Sequence, residues 1–273
     1  MLSGIGDWVS QPIVVLVFLL SVRLSTVFLL TPILFAAPLP PTARVLLVFA
    51  LSIAVALGQA QTAADPGLAS LAHEHGRLAL AVLTEAALGA VLALGILLAF
   101  AAISFAASLL DLQIGFSMAT VYDPLSKRPI PLLTSAFDQA GILVFFLVNG
   151  HHALMRGIAF SLDRFPVGRM WDVEPAFDTL MKKIGSIFTL GFSLAAPVVC
   201  SLLFVEFALA VISRSLPQMN TFVVGAPAKI ATGMLALALW YGGAGAAMLQ
   251  IYQSIYTTWD QMFSAGVERH AHG

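Results

Sequence analysis

The feature that most constrains this chain is a series of six long apolar runs. They lie at positions 13–30, 43–57, 78–110, 132–148, 184–212 and 223–249. A helix needs about 20 predominantly apolar residues to cross a bilayer, so most of these runs are long enough to span one. Hydrophobic residues form 59% of the chain and charged residues only 10%, too few to cover a water-soluble surface of this size. The sequence therefore predicts an all-α integral membrane protein with about six apolar segments.

The runs differ in length, which argues against six regular spans. The second holds about 15 residues and the third about 33. As one helix, the third run would measure about 50 Å against a hydrocarbon core of about 30 Å, so it must tilt, break or project beyond the membrane. Pro32, Pro197 and Pro227 lie in or beside apolar runs, where proline bends or ends a helix. We therefore expect kinked helices that pack against other protein.

Several ionisable residues interrupt the apolar runs, namely Arg23, Glu85, Asp138, Glu206 and Lys229. Each is unfavourable by about 2.5–3.5 kcal/mol at a bilayer centre. Such groups either form a proton or ion path, or they face partner helices and water-filled crevices and pair as buried salt bridges. No acidic and histidine series repeats along one helix face, as a proton relay would need, and this favours pairing.

Motifs for common catalytic and binding chemistry are missing from the sequence. It contains no phosphate-binding G-x-x-x-x-G-K-[ST] loop, no H-E-x-x-H zinc helix and no G-x-S-x-G nucleophile elbow. The single cysteine, Cys200, excludes an internal disulfide and a multi-thiolate metal site. A net charge of −1 provides no basic surface for nucleic acid. We therefore expect no enzymatic activity, no cofactor, no metal site and no nucleic-acid partner.

Several short motifs occur in a specific order. The first are D-L-Q-I-G-F-S-M-A from Asp111, Y-D-P from Tyr122 and F-F-L-V-N-G-H-H from Phe145; Ser161-x4-Pro166-x-Gly168 and S-R-S-L-P-Q-M-N-x-F-x-x-G from Ser213 follow. In this order, and over most of the chain, they resemble the FliR/SctT family of flagellar and injectisome export-gate proteins.

The resemblance implies an architecture in which the chain is similar to a fusion of FliP and FliQ. Residues 1–183 would be FliP-like and include a pore-plug loop near 111–123. Residues 184–273 would form a FliQ-like helical hairpin and a C-terminal tail. Kinked helical hairpins of this kind would pack in a helical hetero-oligomer.

The resemblance also implies a function, a location and partners. The chain would be a component of the flagellar type III protein export gate, in the bacterial inner membrane at the flagellar basal body. It would form with FliP and FliQ the channel through which unfolded flagellar subunits leave the cytoplasm. FlhB would wrap the closed assembly, and FlhA would couple export to proton motive force.

A pore plug is implied at 113–118, with five site residues: Ile114, Gly115, Phe116, Ser117 and Met118. Gly115 lets the backbone turn, and the apolar side chains exclude water yet yield to a passing chain. Taken without the resemblance, the same stretch is an ordinary connector capped by Asp111.

A subunit interface is implied in the FliQ-like hairpin, at Glu206, Pro217, Gln218, Asn220 and Lys229. Lys229 is expected to pair with a carboxylate of an adjacent chain, and the stretch from Pro217 to Asn220 to form the hairpin bend. An injectisome homologue remains an alternative. So does a small-molecule or ion transporter with broken helices around a midplane site, although that class predicts an inverted repeat, and none is visible.

Overall fold

The apolar runs form the helices that set the architecture. The computed structural model describes residues 11–32, 40–59, 68, 71, 74–118, 120–123, 128–169, 174–216, 218 and 221–270. Its elements are α1 (Gln11–Leu30), α2 (Pro41–Gly58), α3 (His75–Ile114), the short 3-10 helix η1 (Phe116–Met118), β1 (Thr120–Asp123), β2 (Arg128–Pro131), α4 (Leu132–Leu147), α5 (Gly150–Arg164), α6 (Glu174–Ser215) and α7 (Thr221–His270).

Each of the six runs lies within one helix, apart from Val148 at the end of the fourth run, and several helices extend beyond their run. Among the described residues, five helices are long and apolar enough to cross a membrane, or up to six if α4 and α5 together form one broken span. The predicted fold class, an all-α integral membrane protein, is confirmed.

The longest run forms a single helix. α3 has 40 residues and, at 1.5 Å per residue, measures about 60 Å. The third run was expected to tilt, break or project beyond the membrane, and the continuous helix shows that it does not break. Pro197 and Pro227 likewise lie inside α6 and α7 rather than at their ends, although each removes one backbone donor from its helix.

The last helix continues well beyond the last apolar run and reaches His270. Among its described residues after position 247, those buried are Met248, Ile251, Tyr252, Ile255, Thr258 and Trp259. Steps of three and four residues connect them, so they share one face of the helix. The segment expected to be a C-terminal tail thus continues α7 as a helix to His270, with one buried face as far as Trp259.

The chain forms two compact units that interleave along the sequence. Unit 1 contains Met1–Leu97, His151–Met181 and Tyr256–Gly273, and unit 2 contains Leu98–Gly150 and Lys182–Ile255. In unit 1, α2 packs against α1, and the core includes Leu16, Leu19, Leu20, Leu24, Leu88 and Leu92; in unit 2 it includes Ile103, Leu110, Phe145, Leu194 and Leu202. The division at residue 183 into FliP-like and FliQ-like parts stays a prediction.

A small β-hairpin in unit 2 was not expected from the sequence. β1 and β2 are antiparallel, with Thr120 paired to Pro131 and Asp123 to Arg128. Proline cannot donate to a β-ladder, but a two-stranded sheet has only edge strands and tolerates Pro129 and Pro131. β2 ends at Pro131, so the hairpin leads directly into α4 at Leu132.

Candidate functional site: a capped helix end and two ion pairs

The segment predicted to be the pore plug begins at the end of α3. The helix includes Gln113 and Ile114, so the non-helical part starts at Gly115. Gly115 has a φ of 98°, a left-handed conformation that glycine adopts without strain. Its N–H donates to the Asp111 carbonyl at 3.1 Å. α3 therefore ends in a glycine turn that redirects the backbone into η1.

Residues of this segment differ in exposure. Ile114 is buried, Phe116 is half-buried, and Gly115 and Ser117 are exposed; the side chain of Met118 lies outside the described residues. A Cβ added to Gly233 of α7 would lie 2.6 Å from Cγ1 of Ile114. Ile114 thus packs against α7 at a position where that helix has no side chain.

Asp111 connects the end of α3 to the start of α4. Its buried carboxylate accepts hydrogen bonds from the Leu133 and Thr134 backbone N–H groups, at 3.0 and 2.8 Å, and from the Thr134 hydroxyl at 2.7 Å. The N-cap residue of α4, Pro131, has no capping side chain. Asp111 therefore caps α4 from another helix, satisfying donors that every helix start leaves unpaired.

Unit 1 contains a fully buried ion pair between Arg23 of α1 and Glu85 of α3. Arg23 Nε lies 2.6 Å from Glu85 Oε2, and neither side chain has any exposed surface. The other guanidinium nitrogens donate to Ser161 Oγ and to the Phe165 carbonyl, both at 3.1 Å. The second oxygen of Glu85 accepts the Gly168 N–H at 3.0 Å. The network links α1, α3, α5 and the turn after α5.

Asp138, the third predicted buried polar residue, lies in unit 2. The half-buried carboxylate of Asp138 on α4 accepts a hydrogen bond from the Ser104 hydroxyl on α3. This contact helps to hold α4 on α3, together with the cap that Asp111 provides.

The second ion pair joins Glu206 of α6 to Lys229 of α7. The ammonium of Lys229 contacts Glu206 Oε1, and the two side chains are 30% and 37% exposed, respectively. The carboxylate of an adjacent chain that was expected to pair with Lys229 stays a prediction; within this chain, its partner is Glu206. Because α6 and α7 are consecutive helices, they bring a carboxylate of the same chain to Lys229.

The other residues predicted for the subunit interface lie between these two helices. Gln218 is an exposed turn residue. Pro217 and Asn220 lie outside the described residues. The interface role of this region stays a prediction.

Two aromatic residues at the end of α7 were missed in the sequence. Tyr252 donates its hydroxyl proton to the Gly141 carbonyl of α4 at 2.5 Å, and burial raises the pKa of that phenol. The Trp259 indole N–H donates to the Leu92 carbonyl of α3 at 3.0 Å. A Cβ on Gly157 would lie 2.7 Å from the indole ring. The spacing of apolar and aromatic residues along this part of the sequence is the signal that would have found both.

In the part of the chain that the structure describes, no three His, Cys, Asp or Glu side chains form a group that could hold a metal ion. The site consists instead of polar side chains that connect apolar helices, and of a glycine turn at the end of α3 after which a short segment is no longer α-helical.

A comparison with known families decides where this arrangement belongs. The family model described as "Bacterial export proteins, family 1" matches residues 14–257. The chain belongs to this family. The match covers every element above except the end of α7 and the first residues of α1. The resemblance to the FliR/SctT family that the motifs indicated is confirmed.

Curated relatives of this family 1 export protein carry flagellar and secretion names. It is 36% identical over 157 residues to the flagellar biosynthetic protein FliR of Bacillus subtilis, an alignment that covers 56% of this chain and 60% of the relative. It is 34% identical over 140 residues to FliR of Escherichia coli, covering 51% and 54%. It is also 30% identical over 165 residues to the Yop proteins translocation protein T of Yersinia pestis, covering 56% and 62%. The chain thus spans about three-fifths of the length of these relatives.

Proposed function

We propose that this chain is a component of the flagellar type III protein export gate in the bacterial inner membrane. It would form, with FliP and FliQ, the channel through which unfolded flagellar subunits leave the cytoplasm, next to FlhB and FlhA. Membership in the export protein family and the FliR names of several relatives support the flagellar assignment.

The observation that carries the proposal is the structure of the segment after α3. Its near end is anchored by the Asp111 cap and by Ile114 packed at Gly233. Its far end continues into the β1–β2 ladder. Between these anchors, Gly115 turns the backbone and Phe116 and Ser117 retain exposed surface. A short segment fixed at both ends and apolar at its centre suits a plug that excludes water and yields to a polypeptide.

The exposed apolar faces of α6 and α7 support assembly with partner subunits. Phe204 and Phe207 of α6 are 76% and 71% exposed, and Val223 and Leu239 of α7 are 64% and 78% exposed. Faces of this kind mark contacts with lipid or with other protein. The Glu206–Lys229 pair lies on the same two helices and would add a polar contact to a subunit interface.

The plug is tested in cells that express the whole export apparatus, by replacing Phe116 and Met118 with serine. Membrane permeability to small ions is expected to rise, because water enters a pore whose apolar seal is removed, while export of flagellar subunits continues. Leu112→Ser is the matched control, since Leu112 is 67% exposed on the last turns of α3 and precedes the turn. Unchanged permeability in the double variant would count against the plug.

The injectisome assignment is the second candidate, because the Yersinia translocation protein matches with an identity close to that of the FliR proteins. Complementation separates the two. The proposal expects this chain to restore motility in a strain lacking its flagellar counterpart, and not to restore secretion in a strain lacking the injectisome counterpart. The reverse pattern would assign it to an injectisome.

A further inference from the structure

A groove between α1 and α2 combines apolar walls with one basic side chain. It has a volume of about 280 Å³ and is lined by the later turns of α1 and the first turns of α2. Its walls are mainly apolar, with Phe28 and Leu29 on one side and Val45, Val48 and Phe49 on the other. The groove therefore lies between the second half of α1 and the first turns of α2, two helices long and apolar enough to cross a membrane.

One cation lines this groove. Arg44 is half-buried in the first turns of α2, and none of the other described residues lining the groove is ionisable. Basic side chains near the end of a membrane helix reach the level of the lipid phosphates. A guanidinium carries five N–H donors, so Arg44 can bind a phosphate oxygen while keeping a contact within the chain.

The two serines that line the groove do not oppose an apolar occupant. The hydroxyls of Ser21 and Ser25 donate to the carbonyls of Phe18 and Val22, one turn back in α1, at 2.6 and 2.9 Å. Because these donors are satisfied within the helix, an acyl chain can lie against them without leaving a buried donor unpaired.

A second cavity shows what the arginine adds. A larger cavity of about 530 Å³ is bordered by α4 and α7, with Phe137, Leu143 and Trp240 among its lining residues, and no ionisable residue is among those that the structure describes there. This cavity can bind apolar groups, but its described lining has no charged side chain that would select a lipid headgroup. The α1–α2 groove combines an apolar channel with a cation in the first turns of α2, which matches an acidic lipid.

We propose that the α1–α2 groove binds an anionic phospholipid, with the phosphate on Arg44 and part of one acyl chain along Phe28, Val48 and Phe49. A helix is about 10 Å across and is too wide for a groove of about 280 Å³, whereas part of an acyl chain fits it. Basic pockets between membrane helices bind acidic headgroups in this way. The inference depends on the membrane character of the chain and not on its role in export.

The test uses the full chain in nanodiscs of phosphatidylcholine that carry a trace of phosphatidylglycerol with a photoreactive acyl chain. A parallel sample carries photoreactive phosphatidylcholine. Labelling of peptides that cover 21–49 is measured by mass spectrometry. One arginine near a lipid surface is worth about 1 kcal/mol, so phosphatidylglycerol should label the groove about fivefold more than phosphatidylcholine.

Three variants make the test specific. Arg44→Gln is expected to reduce phosphatidylglycerol labelling to the level of phosphatidylcholine. Arg214→Gln, which removes an exposed arginine from the last turn of α6, should keep the parent ratio. Val48→Trp leaves the charge and fills the channel, so labelling by both lipids should fall. Gel filtration confirms that each variant remains folded.

Several results would overturn the proposal. These are equal labelling by the two lipids in the parent chain, or an undiminished phosphatidylglycerol signal in Arg44→Gln. Loss of the preference when excess inorganic phosphate is added would assign the cation to a free anion. Loss of all groove labelling when FliP and FliQ proteins are co-assembled would assign the groove to a partner subunit.

Discussion

The two ion pairs of this chain lie in different environments. Arg23 and Glu85 are fully buried, and three further groups complete their hydrogen bonds. Glu206 and Lys229 are 37% and 30% exposed, and within the described residues the structure shows them bonded only to each other. The first pair is a closed network inside unit 1, whereas the second leaves part of each charge accessible on unit 2.

This difference separates two uses of charge in an apolar chain. A buried charge is tolerated only when its partners satisfy nearly all of its hydrogen-bonding capacity, and the Arg23 network meets that requirement within one chain. A half-exposed pair on an apolar helix surface retains capacity for a further partner. We therefore expect the Arg23 network to stabilise the chain, and we propose that the Glu206–Lys229 pair contributes to assembly.

The largest effect is expected from breaking the buried pair. Glu85→Ala leaves the Arg23 guanidinium without its counter-ion, which destabilises a protein by about 3–5 kcal/mol. Replacing both residues by methionine should be less destabilising than the sum of the single changes, because no unpaired charge remains. Reversible unfolding of the purified chain in mixed detergent micelles measures both. A Glu85→Ala variant within about 1 kcal/mol of the parent would show that the network is not essential.

Two glycines test the packing around each pair. A Cβ on Gly89 would lie 2.5 Å from the Arg23 carbonyl oxygen, so Gly89→Ala must push α1 from α3. A Cβ on Gly225 would meet only the end of the flexible Leu209 side chain, at 3.3 Å. Gly89→Ala is expected to destabilise the chain by about 1–3 kcal/mol, and Gly225→Ala by less. Thermal unfolding of the two variants in detergent compares them, and equal losses would contradict closer helix packing at Gly89 than at Gly225.

The smallest change in stability is expected for Lys229→Met. Since the pair is partly exposed, the free energy of unfolding should fall by at most about 1 kcal/mol, while membrane insertion remains intact and assembly with FliP and FliQ proteins weakens. The exchange of Glu206→Lys with Lys229→Glu should restore stability but not assembly. Yields of the co-purified complex measure the second effect. An unchanged yield for Lys229→Met would remove the assembly role.

The sequence predicted the helices because their signal is local. Each apolar run is contiguous, and the helices formed where the runs are. The extension of α7 to His270 was missed because its pattern changes from continuous apolarity to a periodic stripe that includes Tyr252 and Trp259. The β-hairpin was missed because both strands are short, β2 contains two prolines, and the strands follow a motif interpreted as a loop.

The partners of the site residues were not predictable, because they are distant in the sequence. Glu85 lies 62 residues from Arg23, and Ser161 lies 138 residues from it. The sequence marked Arg23 and Glu85 as out of place in lipid but contained no signal that they meet. Asp111 was recognised as a capping residue, yet the helix it caps starts more than 20 residues later.

The central claim, that this chain functions inside a mixed export gate, is tested most directly by native mass spectrometry. The chain is purified in mild detergent with and without co-expressed FliP and FliQ proteins. A stable mixed complex that contains this chain, and that is weakened by Lys229→Met, is the expected result. A free monomer or homo-oligomer that ignores both partners would contradict the claim.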